Sequence, residues 1–368
     1  MLAILESLAA PAQGTQGQQV QLQPLAQHVD PVLDMSNATL ASAPGTGAVA
    51  RATCTYFPST VEQVWTESPA AGKICEIAKR PKQIEAAKLW LSYAARAKAS
   101  HNDAAPAPTP AEAAVLSRFE CELPNGKKSV EYIEPLTGIA RHPFANVGCH
   151  FDTVGEKDVD IFDLSYLVLQ DGCAVPSTPS KRLLFDLGCA SWTASPAEQL
   201  KIDRGEGTGR GPSMPLFAKL YEDRCLDLNG IHGWEARHYD PQEWWAKVSD
   251  ADRKRIHFNN KPITEDEGPD SFSYNLKKEA MPGDFVAVKV DIDYVPVEHP
   301  IVNDIADRPE LTELVDELFF EYHFWFDDLD FGWHSQRGGP MFVNDTVDDA
   351  LALMSKLRHK GVRAHWWI

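Results

Sequence analysis

Basic charge is what this sequence has least of. Lysine and arginine number 35 against 53 aspartates and glutamates, a formal net charge of −18. Nucleic-acid backbones and anionic membranes both select for clustered cations, so no nucleic-acid partner is expected. No run of about 18 or more apolar residues occurs, so no membrane span is expected. Residues 1–10 are mildly apolar but contain Glu6 and no basic stretch, a poor match to a signal peptide. A secretory or Golgi-lumen location is expected only if an N-terminal anchor has been removed. No C-x-x-C occurs among the seven cysteines, so a zinc ribbon is not expected. Their odd number leaves at least one free thiol. Pairing among Cys54, Cys75, Cys121 and Cys149 is open in a secreted chain, and spacing does not choose the partners. No aromatic residue precedes Tyr56. The first fifty residues, rich in Gln, Ala, Pro and Gly, cannot bury enough surface to offset their ordering entropy. A disordered tail over 1–50 is the expectation.

What the chain does have is room for a core, with 43% apolar residues in 368. Residues 51–100 read as helical. Ser59-Thr-Val-Glu62 fits a capping box, and Ile84, Ala87, Leu91 and Ala94 follow helical spacing after Pro81. A Pro/Ala-rich loop over 102–110 follows. Residues 117–170 read as short strands and turns, with a turn at Pro124-Asn-Gly126 and an apolar element over 160–169. A helical and β-rich extension over 51–150 is thus expected before the main domain at 151–368.

From Arg182 the pattern changes to strand alternating with helix. Arg182-Leu-Leu-Phe-Asp186 is an apolar run stopped by an acid and Gly188, the signature of a buried strand ending in a tight turn. A loop with Gly205, Gly207, Gly209 and Gly211 leads to a helix from Ser213. Ile231–Glu235 is a second strand. Asp240-Pro-Gln-Glu243 starts a helix, and 255–259 is a third strand. Asp284-Phe-Val-Ala-Val-Lys-Val-Asp291 is the clearest strand. Helical material spans 296–314, a fifth strand spans 317–324, a helix follows Thr346, and 362–368 closes the chain as a strand. Arg358, His359 and Lys360 are expected in that helix's last turn, facing its dipole. This alternation implies an α/β fold: a Rossmann-like, doubly wound, mostly parallel sheet with helices on both faces.

In such a sheet the carboxyl ends of the strands share one edge, where ligands bind. Asp186, Glu235, Asp291 and Glu321 fall at four of those ends. An acid after the second strand suits a ribose, whose hydroxyls donate to a carboxylate. Asp291 and Asp293 are expected to point the same way along an extended segment. With Glu321 and His323 they would make a site of three carboxylates and an imidazole. Such a group suits a divalent metal or proton removal from a substrate hydroxyl, with His323 as the base nearest neutrality.

The order Asp-Leu-Gly, Trp-Glu, Val-Lys-Val-Asp-Ile-Asp, Phe-Phe-Glu-Tyr-His resembles the class I S-adenosylmethionine-dependent methyltransferases, most of all the FkbM-type branch. The likeness runs over about residues 180–368. It implies S-adenosylmethionine as cofactor, held by Asp186, Gly188 and Glu235. Asp291, Asp293, Glu321 and His323 would form the catalytic, acceptor side. O-methylation of a small-molecule or glycan substrate is the implied reaction. Two stretches depart from the branch: Cys189-Ala-Ser-Trp192 replaces Ala-Asn-x-Gly, and Asp291-Ile-Asp293-Tyr294 replaces Asp-x-Glu-Gly. Trp192 is expected to crowd the methionine end of the cofactor. Two other readings stand beside this one. Asp291-Ile-Asp293 also matches the D-x-D of metal-dependent nucleotide-sugar glycosyltransferases. A methyltransferase-like domain that has lost its cofactor would serve as a binding or assembly protein.

Overall fold

A computed structural model describes residues 53–122, 126–137, 164, 166–174, 179–194, 212–326, 331–332 and 345–367. The tail expected over 1–50 and the glycine loop over 205–211 lie outside them, as do most of residues 327–339 and half of the element at 160–169.

The extension opens with strand β1 (Thr53–Phe57), where a helical stretch was expected. Its β-branched and aromatic residues favour a pleated, half-buried surface. All five pair antiparallel with β2 (Ser117–Glu122), which in turn pairs with β3 (Lys128–Ile133). Between β1 and β2 lie α1 (Thr60–Thr66), α2 (Ile74–Ala78), α3 (Pro81–Lys98) and α4 (Pro110–Val115). Ser59 caps α1 through the Glu62 N–H as the sequence suggests. The Glu62 carboxylate, however, takes hydrogen bonds from Tyr56, Ser117 and the Leu136 N–H, and does not complete the capping box.

The main sheet is built from β4 (Arg182–Leu187), β5 (Gly230–Trp234), β6 (Ile256–Asn259), β7 (Phe285–Val290), β8 (Glu317–Phe320) and, past the short pair β9 (Trp325–Phe326) and β10 (Phe331–Gly332), β11 (Arg363–Trp366). All six are parallel, in the order β11-β8-β7-β4-β5-β6. The strand order therefore reverses between β4 and β7. Every residue of β7 is buried, the pattern of a parallel strand covered on both sides. The fifth strand stops at Phe320, short of the expected 324, because residues 321–324 leave the ladder.

Helices flank this sheet: α5 (Ser213–Glu222), α6 (Pro241–Ala246), α7 (Phe272–Glu279), α8 (Val295–Asp307), α9 (Pro309–Thr312) and α10 (Val347–His359). Side chains alternate across a strand, so two neighbours on β4 report opposite faces. Asp186 meets Ser213 of α5, while Phe185 meets Phe272 of α7 edge-on at 6.0 Å. Most of the buried apolar residues of α1–α3 form one continuous cluster with those of the sheet. None of the described helices is long and apolar enough to cross a membrane.

Disulfides join Cys54 to Cys121 across β1 and β2, and Cys173 to Cys225. Cys75 is also disulfide-bonded, and Cys189 is a buried free thiol.

A buried ionic network fastens the extension to the C-terminal strand. Arg358 lies in the last turn of α10, as expected, and is fully buried. It donates to the Glu134 carbonyl at 2.8 Å and lies 3.3 Å from Glu62 and 3.4 Å from the Glu134 carboxylate. His365 of β11 bridges Glu134 at 2.6 Å and Glu317 at 2.9 Å. Burial opposes charge on all three, but their mutual attraction prevails: Glu134 and Glu317 are held below the usual carboxylate range, and His365 is held above its ordinary value.

The pH dependence follows from these signs. The His365 contribution is complete below its unfolded pKa of about 6.5 and is lost as pH rises through the higher folded value. The Glu134 and Glu317 contributions are complete above about 4.5 and are lost as pH falls through their lower folded values. Urea midpoints measured against pH should form a plateau between these limits and decline on the alkaline side. The alkaline decline should flatten in His365→Gln. An unchanged alkaline slope in that variant would rule out His365 as its source.

Candidate functional site

The strand-order reversal leaves a cleft beyond the carboxyl ends of β4, β5, β7 and β8. Its volume is about 890 Å³, and its lining includes Gly188, Glu235, Arg237, Asp291, Asp293 and Glu321. Crevices at such switch points are where open α/β sheets bind ligands.

The turn after β4 is made possible by Gly188, whose φ is +86°. A Cβ there would lie 1.7 Å from the Asp291 carbonyl oxygen. Only glycine permits this approach of the β4 and β7 termini. The Gly188 and Cys189 N–H groups both bond the Trp234 carbonyl, at 2.9 and 3.1 Å. The turn is thereby tied to β5 as well.

Asp186 is completely buried and is not part of the cleft wall. Its Oδ2 accepts from Ser213 Oγ at 2.6 Å, and its Oδ1 lies 3.2 Å from Lys289 Nζ. Burial raises its pKa, against the pull of Lys289. Lys289, 1% exposed, donates to the Gly188 carbonyl at 2.9 Å and lies 3.0 Å from Asp291 Oδ2. Burial alone would lower its pKa, but the two carboxylates outweigh burial and hold the amine charged. Asp291 Oδ2 also accepts from Trp367 Nε1 at 2.8 Å.

Glu235 is nearly buried at the end of β5. Its oxygens accept from the Ala190 N–H at 3.1 Å and the Arg237 N–H at 2.7 Å. The Arg237 guanidinium makes two further contacts to it, each 3.2 Å. The Arg237 side chain is 73% exposed. The carboxylate expected for a ribose thus reaches the cleft already carrying an exposed arginine. Trp192 is buried in the hydrophobic core and is not among the residues lining the cleft.

The expected alignment of Asp291 with Asp293 does not occur. The extended segment ends at Val290, and Asp293 adopts φ 61°. That left-handed conformation turns its side chain away from the β alternation. Asp291 is engaged by Lys289 and Trp367, whereas Asp293 is exposed and groups with Glu321 and His323. Burial raises the Glu321 pKa, and the neighbouring Asp291 charge raises it further. Asp291 is held low: burial opposes its charge, but Lys289 more than offsets this. His323 is fully buried and does not line the cleft.

Sequence reasoning missed Glu298, in the first turn of α8. Its Oε1 accepts from the N–H groups of Ile292 at 2.6 Å and Asp293 at 3.1 Å, holding the left-handed turn. Burial pushes its carboxyl up to about 8, with Asp291 and Asp293 adding to the rise. The available signal was its place three residues into a proline-started helix directly after the strand-end acids. It also missed Lys289 as a site residue, although a lone cation in an otherwise apolar strand must be paired.

Comparison with protein-family models, curated proteins and solved structures returns no match.

Two glycines with positive φ separate conformational strain from steric exclusion. Around Gly361, φ +91°, nothing lies within 4 Å of an added Cβ. Gly361→Ala should cost about 1–2 kcal/mol, the left-handed penalty alone. Gly188→Ala should cost about 1–3 kcal/mol more, since the Asp291 carbonyl must also be displaced. Thermal denaturation of both variants checks this, and equal losses would show that the β4–β7 approach is not tight.

Proposed function

We propose that the chain is an S-adenosylmethionine-dependent methyltransferase acting on a hydroxyl of a small-molecule or glycan substrate. One observation carries this reading. A cleft at the reversal of a parallel sheet has the glycine turn of its first strand and a carboxylate at the end of its second strand on the same wall. That pairing suits a nucleoside, with its ribose hydroxyls donating to Glu235. Arg237 would swing out as the ribose arrives, and its exposure makes that motion cheap. Asp186 acts from behind the wall, holding Lys289 and the Gly188 turn in place. The cofactor supplies an activated methyl group. Asp291, Asp293 and Glu321 also line the cleft, and the acceptor would lie against them. The disulfides suit an oxidising compartment, which agrees with a glycan acceptor.

The D-x-D glycosyltransferase reading is weaker, because it needs both aspartates on one metal. Asp291 is already committed to Lys289 and Trp367, and Asp293 faces elsewhere.

Isothermal titration with S-adenosylhomocysteine tests the proposal. Micromolar binding is expected, weakened at least about tenfold in Glu235→Ala, which corresponds to the loss of roughly 1.4 kcal/mol. Arg237→Ala should bind at least as tightly as the parent, since it removes the competing guanidinium. Absence of binding, or equal affinity in Glu235→Ala, would overturn the assignment.

A further inference from the structure

We propose that Glu298, Glu321, His323 and Asp293 form a site for one divalent transition-metal cation, best matched by zinc, at the end of β8 beside the cleft. The inference concerns the acceptor side of the proposed methyltransferase, but it stands on metal binding alone.

Asp293, Glu321 and His323 each offer one ligand atom, all within 4.8 Å of one another. Acids gathered at strand ends are common, so the weight rests on Glu298. Its side chain is completely buried, and its Oε2 makes no hydrogen bond. A buried carboxyl oxygen left without a hydrogen bond is costly, and a cation would satisfy it. That atom lies 3.5 Å from His323 Nε2, and Glu321 Oε2 lies 3.5 Å from the same nitrogen. Both distances exceed the usual hydrogen-bond range of about 2.7–3.2 Å. They match the edge of a tetrahedron whose centre is about 2.1 Å from each corner, the bond length of zinc to imidazole nitrogen and carboxylate oxygen. Both carboxylate oxygens thus stand at a ligand-to-ligand distance from the same imidazole nitrogen.

The fourth ligand is positioned by the first. Glu298 Oε1 accepts from the Ile292 and Asp293 N–H groups, fixing the left-handed turn that carries Asp293. One carboxylate would therefore bind the ion with one oxygen and orient a second ligand with the other, as outer-shell contacts do at established metal sites. Backbone strain of this kind persists where the surroundings enforce it. Asp293 is exposed, so its side chain can close on an ion by rotation. An imidazole among carboxylates favours zinc, manganese or iron(II) over magnesium and calcium, which prefer oxygen alone. Asp293 and Glu321 line the cleft, so the ion would be open on that side to an oxygen donor of the bound substrate.

The test uses the full chain, stripped with a chelator and titrated calorimetrically with zinc chloride, and separately with manganese chloride, with no nucleoside present. One zinc per chain at micromolar affinity or tighter is expected, with manganese weaker. Glu298→Gln and Asp293→Asn should each weaken zinc binding at least about tenfold. His323→Ala should abolish it, with far-UV circular dichroism confirming the fold. Glu298→Gln keeps size and hydrogen-bonding capacity, so it remains informative if His323→Ala does not fold. Failure to bind zinc, or undiminished binding in both Glu298→Gln and Asp293→Asn, would overturn the site. Neither result touches the S-adenosylhomocysteine titration, so the two proposals fail separately.

Discussion

A lysine ammonium in the middle of a parallel sheet sets the geometry of this protein's cleft. Lys289 has three protons and is 1% exposed, and it meets the Gly188 carbonyl, Asp186 and Asp291. Removing any partner would leave a buried charge uncompensated, a loss of about 3–5 kcal/mol in comparable cases. Through these contacts the ends of β4 and β7 are locked together where the strand order reverses. The same contacts occupy Asp291 Oδ2, which also accepts from Trp367, while the residue still lines the cleft. The surface left for a ligand is what that arrangement does not consume: the Gly188 turn, Glu235 with its arginine, and the Asp293 turn.

The α/β pattern was legible because its signals are local. Apolar runs of strand length, caps such as Asp240 and Thr346, and the stop at Gly361 each follow from short-range physics. The acids at the strand ends were legible for the same reason: parallel register carries them to one edge. Side-chain direction beyond a strand end was not. Asp293 leaves the β alternation because Glu298, five residues on, pulls the backbone into a left-handed turn, and no strand periodicity encodes that. Trp192 read as an obstruction when only its position in the turn was known, but it has a core to enter. Arg358 read as a helix-end cation because its partners, Glu62 and Glu134, are far away in sequence.

The extension also reads differently once its polar contacts are seen. Its helices suggested a small appendage, yet most of their buried apolar residues belong to the same cluster as the sheet. Glu134 and Glu62 find their positive partners on α10 and β11, and Glu317 of β8 joins them through His365. The outer edge of the sheet is therefore covered by charge as well as by apolar packing. A β11 edge strand left open would offer its backbone to other chains.

That network also orders events in time. Arg358 and Glu62 are 296 residues apart in the chain. Closing so long a loop precedes any return from the contact, and topologies dominated by distant contacts fold slowly. During synthesis the extension emerges first, carrying buried acids whose counter-charges have not yet been made. Its final packing must wait for β11 to leave the ribosome, so the extension stays exposed to capture by chaperones while the sheet is translated.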